Sequence, residues 1–311
     1  MSKSLLAICI TTLITLLATS AAADESVGLC TGTDSQKITC LNNKLEYLGI
    51  GTDANSKPLM EIEGANLIIH RASLSDGTGN MVVGDGHSWT STTTNGFVSG
   101  YSNSITGYAA CILGGYRNTA STSYATVVGG YYNTASDSYT TVAGGYYNAA
   151  TNDYATVSGG GYNTASGQYS TAGGGAMNLA SSSYSTAVGG YDNEATTNTY
   201  CIAVGGRGNT ASGQYSIASG GYDNTASNEY ASAFGGEMNL ADASRSTCLG
   251  GYANWAAATN SVVSGGSTNK ASGSASTVSG GYSNTATGAY DWWGGSACYC
   301  NVSGSSCWCT A

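Results

Sequence analysis

Residues 154–168 read YATVSGGGYNTASGQ, and residues 169–183 repeat the pattern as YSTAGGGAMNLASSS. The pattern extends from Ser99 to about residue 295. The second glycine of each copy falls at Gly100, Gly115, Gly130, Gly145, Gly160, Gly175, Gly190, Gly206, Gly221, Gly236, Gly251, Gly266 and Gly281. All intervals are 15 residues except that from Gly190 to Gly206, which is 16. Fifteen residues is too short for a helical hairpin and predicts one turn of a parallel β-solenoid, hence about thirteen coils.

One asparagine stands three residues after the second glycine of every coil. These residues are Asn103, Asn118, Asn133, Asn148, Asn163, Asn178, Asn193, Asn209, Asn224, Asn239, Asn254, Asn269 and Asn284. Asparagine tolerates turn conformations better than most residues. We predict that this column stacks as a hydrogen-bonded ladder along the rod.

Two columns of small apolar residues predict a thin core. The residue two after each asparagine is alanine in all coils but the first, where it is Ile105, and the residue two before each glycine pair is mostly valine or alanine. Counting in the same way places Phe97 before the first coil and Trp292 after the last, and we predict that both cap the core. A recurrent tyrosine column, from Tyr124 to Tyr230, is too bulky for such a core and is expected outside.

The termini differ from the repeats and divide the chain into four segments. Lys3, an apolar stretch and Ala21-Ala22-Ala23 are typical of a signal peptide over 1–23, which predicts a secreted or cell-surface protein. Residues 24–98 form a strand-rich leader, 99–295 the repeat domain and 296–311 a cysteine-rich cap. No later stretch is long and apolar enough to predict membrane insertion.

The composition limits which partners the chain can bind and indicates the oxidation state of its cysteines. Only 9% of residues are charged and the net charge is −9, which argues against binding nucleic acid. Secretion favours disulfides, and removal of Cys9 with the signal peptide leaves nine cysteines, an odd number. The candidates are Cys30, Cys40, Cys298, Cys300, Cys307 and Cys309. A metal site at the last four is the alternative, which their C-x-C spacing disfavours.

Catalytic residues are scarce. The two histidines, His70 and His87, lie outside the repeats and in no recognisable motif. A glycosidase solenoid requires a pair of carboxylates at a fixed register, whereas the carboxylates of this sequence recur at none. The calcium-binding nonapeptide of some solenoids is also absent. We therefore predict no enzymatic activity, no cofactor, and no catalytic or metal-binding residue.

The paired pattern S-x-A-x-G and N-x-A-x-G resembles the head repeats of YadA-like (Hep/Hag-type) trimeric autotransporter adhesins, and Asn260–Gly265 is especially similar. The resemblance implies an all-β fold, a left-handed β-roll, with three chains in one head. The repeats of that family usually run 14 residues rather than 15, and this sequence contains neither the stalk nor the membrane anchor of the family. The resemblance therefore implies the fold of the repeats rather than the membrane anchoring of the family.

Three functions are compatible with the sequence. A structural subunit of an extracellular filament or surface adhesive assembly is favoured, with further copies of the chain as partners, in homotrimers or a head-to-tail polymer. A discrete adhesin head that binds host or matrix surfaces is the alternative. Ice binding is the third, because Thr126, Thr141 and Thr156 begin a file of threonines on one face.

Overall fold

The computed structural model describes the backbone of residues 48–52, 58–62, 80–90, 92–294, 298–301 and 306–309, and the side chains of 80–90 and 92–294. The chain divides into two compact units, Met1–Ile68 and Ile69–Ala311. In the first unit, β1 (Leu48–Thr52) pairs antiparallel with β2 (Pro58–Ile62). The signal peptide, Cys30, Cys40 and His70 lie outside the described residues.

The second unit is an all-β parallel solenoid, as predicted, and its described residues contain no helix. Each coil contributes one short strand to each of two parallel ladders. The first ladder contains β3 (Met81–Asp85), β4 (Phe97–Tyr101), β6 (Cys111–Ile112), β8 (Thr126–Val127), β10 (Thr141–Val142), β12 (Thr156–Val157), β14 (Thr171–Gly173), β16 (Thr186–Val188), β18 (Ile202–Val204), β20 (Ile217–Ser219), β22 (Ser232–Phe234), β24 (Thr247–Cys248), β26 (Val262–Val263), β28 (Thr277–Val278) and β30 (Trp292–Gly294). The second ladder contains β5 (Ser104–Ile105), β7 (Thr119–Ala120), β9 (Thr134–Ala135), β11 (Ala149–Ala150), β13 (Thr164–Ala165), β15 (Leu179–Ala180), β17 (Glu194–Ala195), β19 (Thr210–Ala211), β21 (Thr225–Ala226), β23 (Leu240–Ala241), β25 (Trp255–Ala256), β27 (Lys270–Ala271) and β29 (Thr285–Ala286).

Residue size explains which side of each strand faces inward. In the two-residue strands the second residue is buried and the first is more exposed, as in Thr156–Val157 and Thr164–Ala165. The buried columns hold mainly alanine and valine with no exposed surface, because two facing strands leave room only for small side chains. The coil turns from the first ladder to the second at the glycine pairs, here called the glycine edge. It returns at the tyrosine column, here called the tyrosine edge.

The stack begins earlier than the glycine pattern predicts. Strand β3 lies parallel to β4 and in register with it, so the solenoid includes a turn within the segment predicted as leader. His87 belongs to this turn, and its ring takes the place that asparagine holds in the coils. Its Nδ1 accepts a hydrogen bond from the backbone N–H of Asn103 at 3.2 Å, and its Nε2 lies 3.1 Å from the carbonyl oxygen of Val83.

The predicted end caps Phe97 and Trp292 are wrong by one residue at each end. Phe97 pairs with Cys111 and is partly exposed, whereas Val98 pairs with Ile112 and is fully buried. At the other end Trp292 is 40% exposed, and Trp293 pairs with Val278 and packs against the core. The prediction assumes the constant spacing between the core column and the glycine pair that holds in the regular coils. That spacing changes by one residue in both terminal turns.

An antiparallel hairpin follows the last coil. Strand β31 (Cys298–Asn301) pairs antiparallel with β30 and with β32 (Ser306–Cys309). The register places Cys298 opposite Cys309 and Cys300 opposite Cys307.

The single 16-residue coil fits without a break in either ladder. Strand β18 pairs in register with β16, and β19 with β17. The turn at the tyrosine edge absorbs the extra residue, near Thr197, whose φ is +72°.

Candidate functional site

Eight tyrosines form a continuous stack along the tyrosine edge. This set, here called the tyrosine file, comprises Tyr124, Tyr139, Tyr154, Tyr169, Tyr184, Tyr200, Tyr215 and Tyr230. Neighbouring ring centroids lie 4.7–5.0 Å apart, and the ring planes differ by 1–10°. This spacing equals the distance between hydrogen-bonded strands, about 4.8 Å, so each coil adds one ring. Each side chain is 41–48% exposed.

The backbone of the tyrosine file adopts an unfavourable conformation for such large residues. The φ of all eight lies between +57° and +62°, in the left-handed region. Only glycine, asparagine and aspartate enter this region at low cost, and other residues lose roughly 1–2 kcal/mol there. Ring stacking stabilises the folded chain by about 0.5–1.5 kcal/mol per pair of rings. The turn geometry alone therefore does not account for tyrosine at these positions, and the ring itself has a role.

A second group of tyrosines lies at the glycine edge, and the sequence interpretation missed it. Here called the second cluster, it comprises Tyr101, Tyr116, Tyr131 and Tyr146, stacked at 5.3–5.6 Å, and Tyr132, Tyr147 and Tyr162, stacked at 4.8–5.4 Å. The guanidinium of Arg117 covers the rings of Tyr116 and Tyr132 at 5.1 and 5.3 Å. The Tyr-Tyr dipeptides at 131–132 and 146–147 are the feature of the sequence that indicates this cluster. In later coils glycine, arginine and glutamate occupy the same columns and hide it.

Stacking determines which part of each ring is available for contact. In the interior of the tyrosine file both faces of each ring are turned toward neighbouring rings, and 41–48% of each side chain remains exposed. Sugars and nucleic-acid bases bind aromatic side chains through the ring face, which these rings do not offer. Partial burial and the neighbouring rings Tyr169 and Tyr139 raise the pKa of the Tyr154 phenol, so the ring is neutral at physiological pH. The tyrosine file is thus a regular strip of ring edges.

The asparagine column fixes the coils on which the rings stand. The side-chain Oδ1 of each asparagine accepts a hydrogen bond from the backbone N–H of the asparagine in the next coil, at 2.7–3.1 Å along the whole column. In Asn163 the Nδ2 group donates to the carbonyl oxygens of Gly159 at 2.8 Å and Gly175 at 3.1 Å. Each amide thereby joins its own coil to the next one.

Three cysteines of the described region are free thiols. Cys111 lies partly buried in the outward column of the first ladder, and Cys201 and Cys248 are fully buried. The side chains of Cys298, Cys300, Cys307 and Cys309 lie outside the described residues. Within 80–90 and 92–294, no three histidine, cysteine or acidic side chains converge as metal ligands would.

The thiol of Cys248 gives a pH-dependent prediction. Burial raises its pKa to about 11, compared with about 8.5 for a free thiol. Above pH 8.5 the unfolded chain therefore loses a proton that the folded chain keeps, so the stability falls as the pH rises. We expect the Cys248→Ala variant to lack this contribution. The unfolding free energy of the parent should fall relative to that variant by about 1.5 kcal/mol between pH 8.5 and 10.

Urea unfolding of both proteins across this pH range measures the difference. Native-state alkylation is an independent check, in which Cys111 should react before Cys248. A constant difference between parent and variant would contradict the assigned pKa.

In the described part of the chain no helix is long and apolar enough to cross a membrane. A comparison with models of known protein families finds no match. A search of curated proteins also finds no significant match.

Proposed function

We propose that the protein is a secreted, non-enzymatic structural subunit. Its rods pack side by side with copies of the same chain, three to a bundle, and build an extracellular filament or a surface adhesive assembly. The observation that carries this proposal is the tyrosine file, eight stacked and half-exposed rings along one edge of a regular rod. The resemblance to trimeric adhesin heads supports the number of chains.

The backbone strain at these tyrosines and their recurrence in eight coils support a contact role for the rings. In other coils the same turn position holds Ala109, Arg245, Asn260 and Ala275, also at positive φ, so the turn itself does not require tyrosine. Eight successive coils nevertheless carry tyrosine there. Tyrosine is enriched at protein interfaces because its large ring also carries a polar group. The ring side chains are already ordered by stacking, which reduces the entropy lost when a partner binds.

Dimensions favour another rod as the partner. The tyrosine file extends about 34 Å, at one ring per coil of about 4.8 Å. A second copy presents the same spacing and can match it ring by ring. The net charge of −9 opposes the approach of a second copy, but with only 9% charged residues the charge density along the rod is low.

The C-terminal hairpin limits the direction in which copies of the chain can join. Strand β31 occupies the edge of β30 and runs antiparallel to it. A second rod therefore cannot continue the first ladder in parallel register at that edge. We accordingly propose side-by-side packing in preference to head-to-tail joining through the first ladder.

Sedimentation of a file variant tests the proposal. In the triple variant Tyr154→Asn, Tyr169→Asn and Tyr184→Asn, asparagine suits the left-handed turn but lacks the ring. The matched control carries Tyr191→Asn, Tyr222→Asn and Tyr252→Asn, which alter equally exposed tyrosines outside the file. We expect multimers from the parent and the control and single chains from the file variant, with the circular dichroism spectrum unchanged. A parent that sediments as one chain at all concentrations, or a file variant that still assembles, would refute the proposal.

Negative-stain microscopy of the parent separates the forms of assembly. Long fibres support a filament, whereas isolated rods of about 60 Å support the discrete adhesin head. Ice binding rests on one observation, the in-register Thr126, Thr141, Thr156, Thr171 and Thr186 on the outer face of the first ladder. Ile202 ends this run. Thermal hysteresis at millimolar protein tests it, and its absence removes this alternative.

The register of the C-terminal hairpin supports two cross-strand disulfides, Cys298–Cys309 and Cys300–Cys307. Residues directly opposite in an antiparallel pair lie within the Cα separation that a disulfide spans. Peptide mapping of the non-reduced protein should yield these two links. Recovery of Cys298–Cys307 or Cys300–Cys309 links would refute this pairing.

A further inference from the structure

We infer that the tyrosine file is a site of oxidative cross-linking, at which dityrosine bonds join neighbouring rods. This inference rests on the proposed side-by-side assembly and adds a covalent chemistry to it. The oxidant is hydrogen peroxide acting through a haem peroxidase, both supplied from outside the protein.

The reaction balances in atoms and electrons. Each of two phenols loses one electron and its hydroxyl proton and becomes a phenoxyl radical. The two radicals form a carbon–carbon bond between the ring carbons next to the hydroxyl groups. The hydrogen on each of these carbons then returns to the phenol oxygen, which restores both aromatic rings. The two electrons and two protons removed reduce one hydrogen peroxide to two water molecules.

Exposure and the length of the stack suit the rings of the tyrosine file to this chemistry, because the file is the longer of the two tyrosine stacks described. Stacking covers the ring faces and leaves the hydroxyl and the adjacent carbons, the atoms that react, at the exposed edge. From Tyr124 to Tyr215, the centroids of neighbouring rings in the file lie 4.7–5.0 Å apart. A radical formed on one ring can therefore pass to its neighbours and reach the ring that faces a partner.

Charge disfavours two exposed tyrosines outside the file. The guanidinium of Arg207 lies over the rings of Tyr191 and Tyr222 at 5.4 and 5.6 Å. These side chains are 41% and 44% exposed, as much as those of the file. A cation held against a ring opposes removal of an electron from it, because the product carries more positive charge. Within the file, Arg245 lies over the ring of Tyr230 at 5.5 Å. Tyr191 and Tyr222 therefore serve as an internal comparison for the rings from Tyr124 to Tyr215, which are equally exposed.

The coil spacing directs the bond to another chain. A dityrosine bond tilts the two ring axes apart, so it holds the two Cβ atoms much farther apart than the ring carbons that it joins. Neighbours in one file stand on coils about 4.8 Å apart and are fixed by the strand ladders. Coupling within the file would have to separate two hydrogen-bonded coils. Two rods that face each other edge to edge meet no such restraint.

Peroxidase treatment of the full chain tests the inference. The file variant carries Tyr→Phe at all eight positions, which keeps the stacked rings and removes the phenols. The control carries Tyr191→Phe and Tyr222→Phe. We expect the parent and the control to give dityrosine fluorescence and covalent multimers on a reducing denaturing gel. The file variant should lose the multimers.

Sedimentation before oxidation separates this inference from the proposed function. If the parent assembles and the file variant cross-links as fully as the parent, the inference fails and the proposed assembly stands. If the parent does not assemble but still cross-links through the file, the assembly fails and the oxidation site stands. Mass spectrometry of the oxidised protein could instead find single chains that have lost two hydrogen atoms and carry a bond between tyrosines of adjacent coils. That result would overturn the assignment of the bond to another chain.

Discussion

Replacement of Gly130 by alanine is expected to cost about 2–5 kcal/mol of stability, because the change adds both backbone strain and a steric overlap. The φ of Gly130 is +92°, and a Cβ atom there would overlap the carbonyl oxygen of Gly145 in the next coil. It would also lie 2.5 Å from the Nδ2 atom of Asn133. Neither neighbour can move freely, since one is backbone and the other belongs to the asparagine column.

The adjacent glycine provides the control. The φ of Gly129 lies outside the left-handed region, and a Cβ atom there would meet nothing closer than 3.9 Å. Gly129→Ala should therefore change the stability by no more than about 0.5 kcal/mol. Urea unfolding of both variants measures the contrast. Similar midpoints for the two would contradict the tight stacking of coils at the glycine edge.

Asn163→Ala is the second change for which we expect a large loss, about 3–5 kcal/mol, because several buried polar groups lose their partners together. Asn163 has no exposed surface. Its amide accepts from the backbone N–H of Asn178 at 2.9 Å and donates to the carbonyl oxygens of Gly159 and Gly175. Thr164→Ala, at the neighbouring outward position, is the control and should cost less than about 1 kcal/mol.

The Asn163→Asp variant adds a pH test of the same contacts. Its carboxylate would face the two glycine carbonyl oxygens, which favours the protonated form and raises the pKa of the carboxyl in the folded chain. Above the unfolded value of about 3.9 the folded chain would hold an extra proton, so the variant should lose stability as the pH rises from about 4 to 7. Thermal unfolding at several pH values measures this. A variant as stable at pH 7 as at pH 4 would contradict the donor role of Nδ2.

The regular coils were predictable because each column obeys one physical constraint. Small residues recur where two strands face each other, and variable ones such as Glu194 and Lys270 stand where a side chain reaches solvent. This alternation of buried and outward residues predicts the two ladders without further information. The fold prediction is confirmed for this reason.

The ends and edges were less predictable because local geometry there departs from the repeat. Phe97 and Trp292 were misplaced where the spacing between core and glycine changes by one residue. The role of His87 depends on a backbone position that no motif marks. The left-handed conformation of Tyr154 has no sequence signal, since tyrosine is not a residue that favours it.

The coil with one extra residue has a practical consequence. Across this insertion the ring of Tyr200 still lies 4.9 Å from that of Tyr184, and the backbone N–H of Asn209 still reaches the Oδ1 of Asn193 at 3.0 Å. The loop near Thr197 thus accepts added chain while the rest of the rod keeps its alignment. It is the natural location for inserting a guest peptide or an affinity tag, which an array of rods would then display at regular intervals.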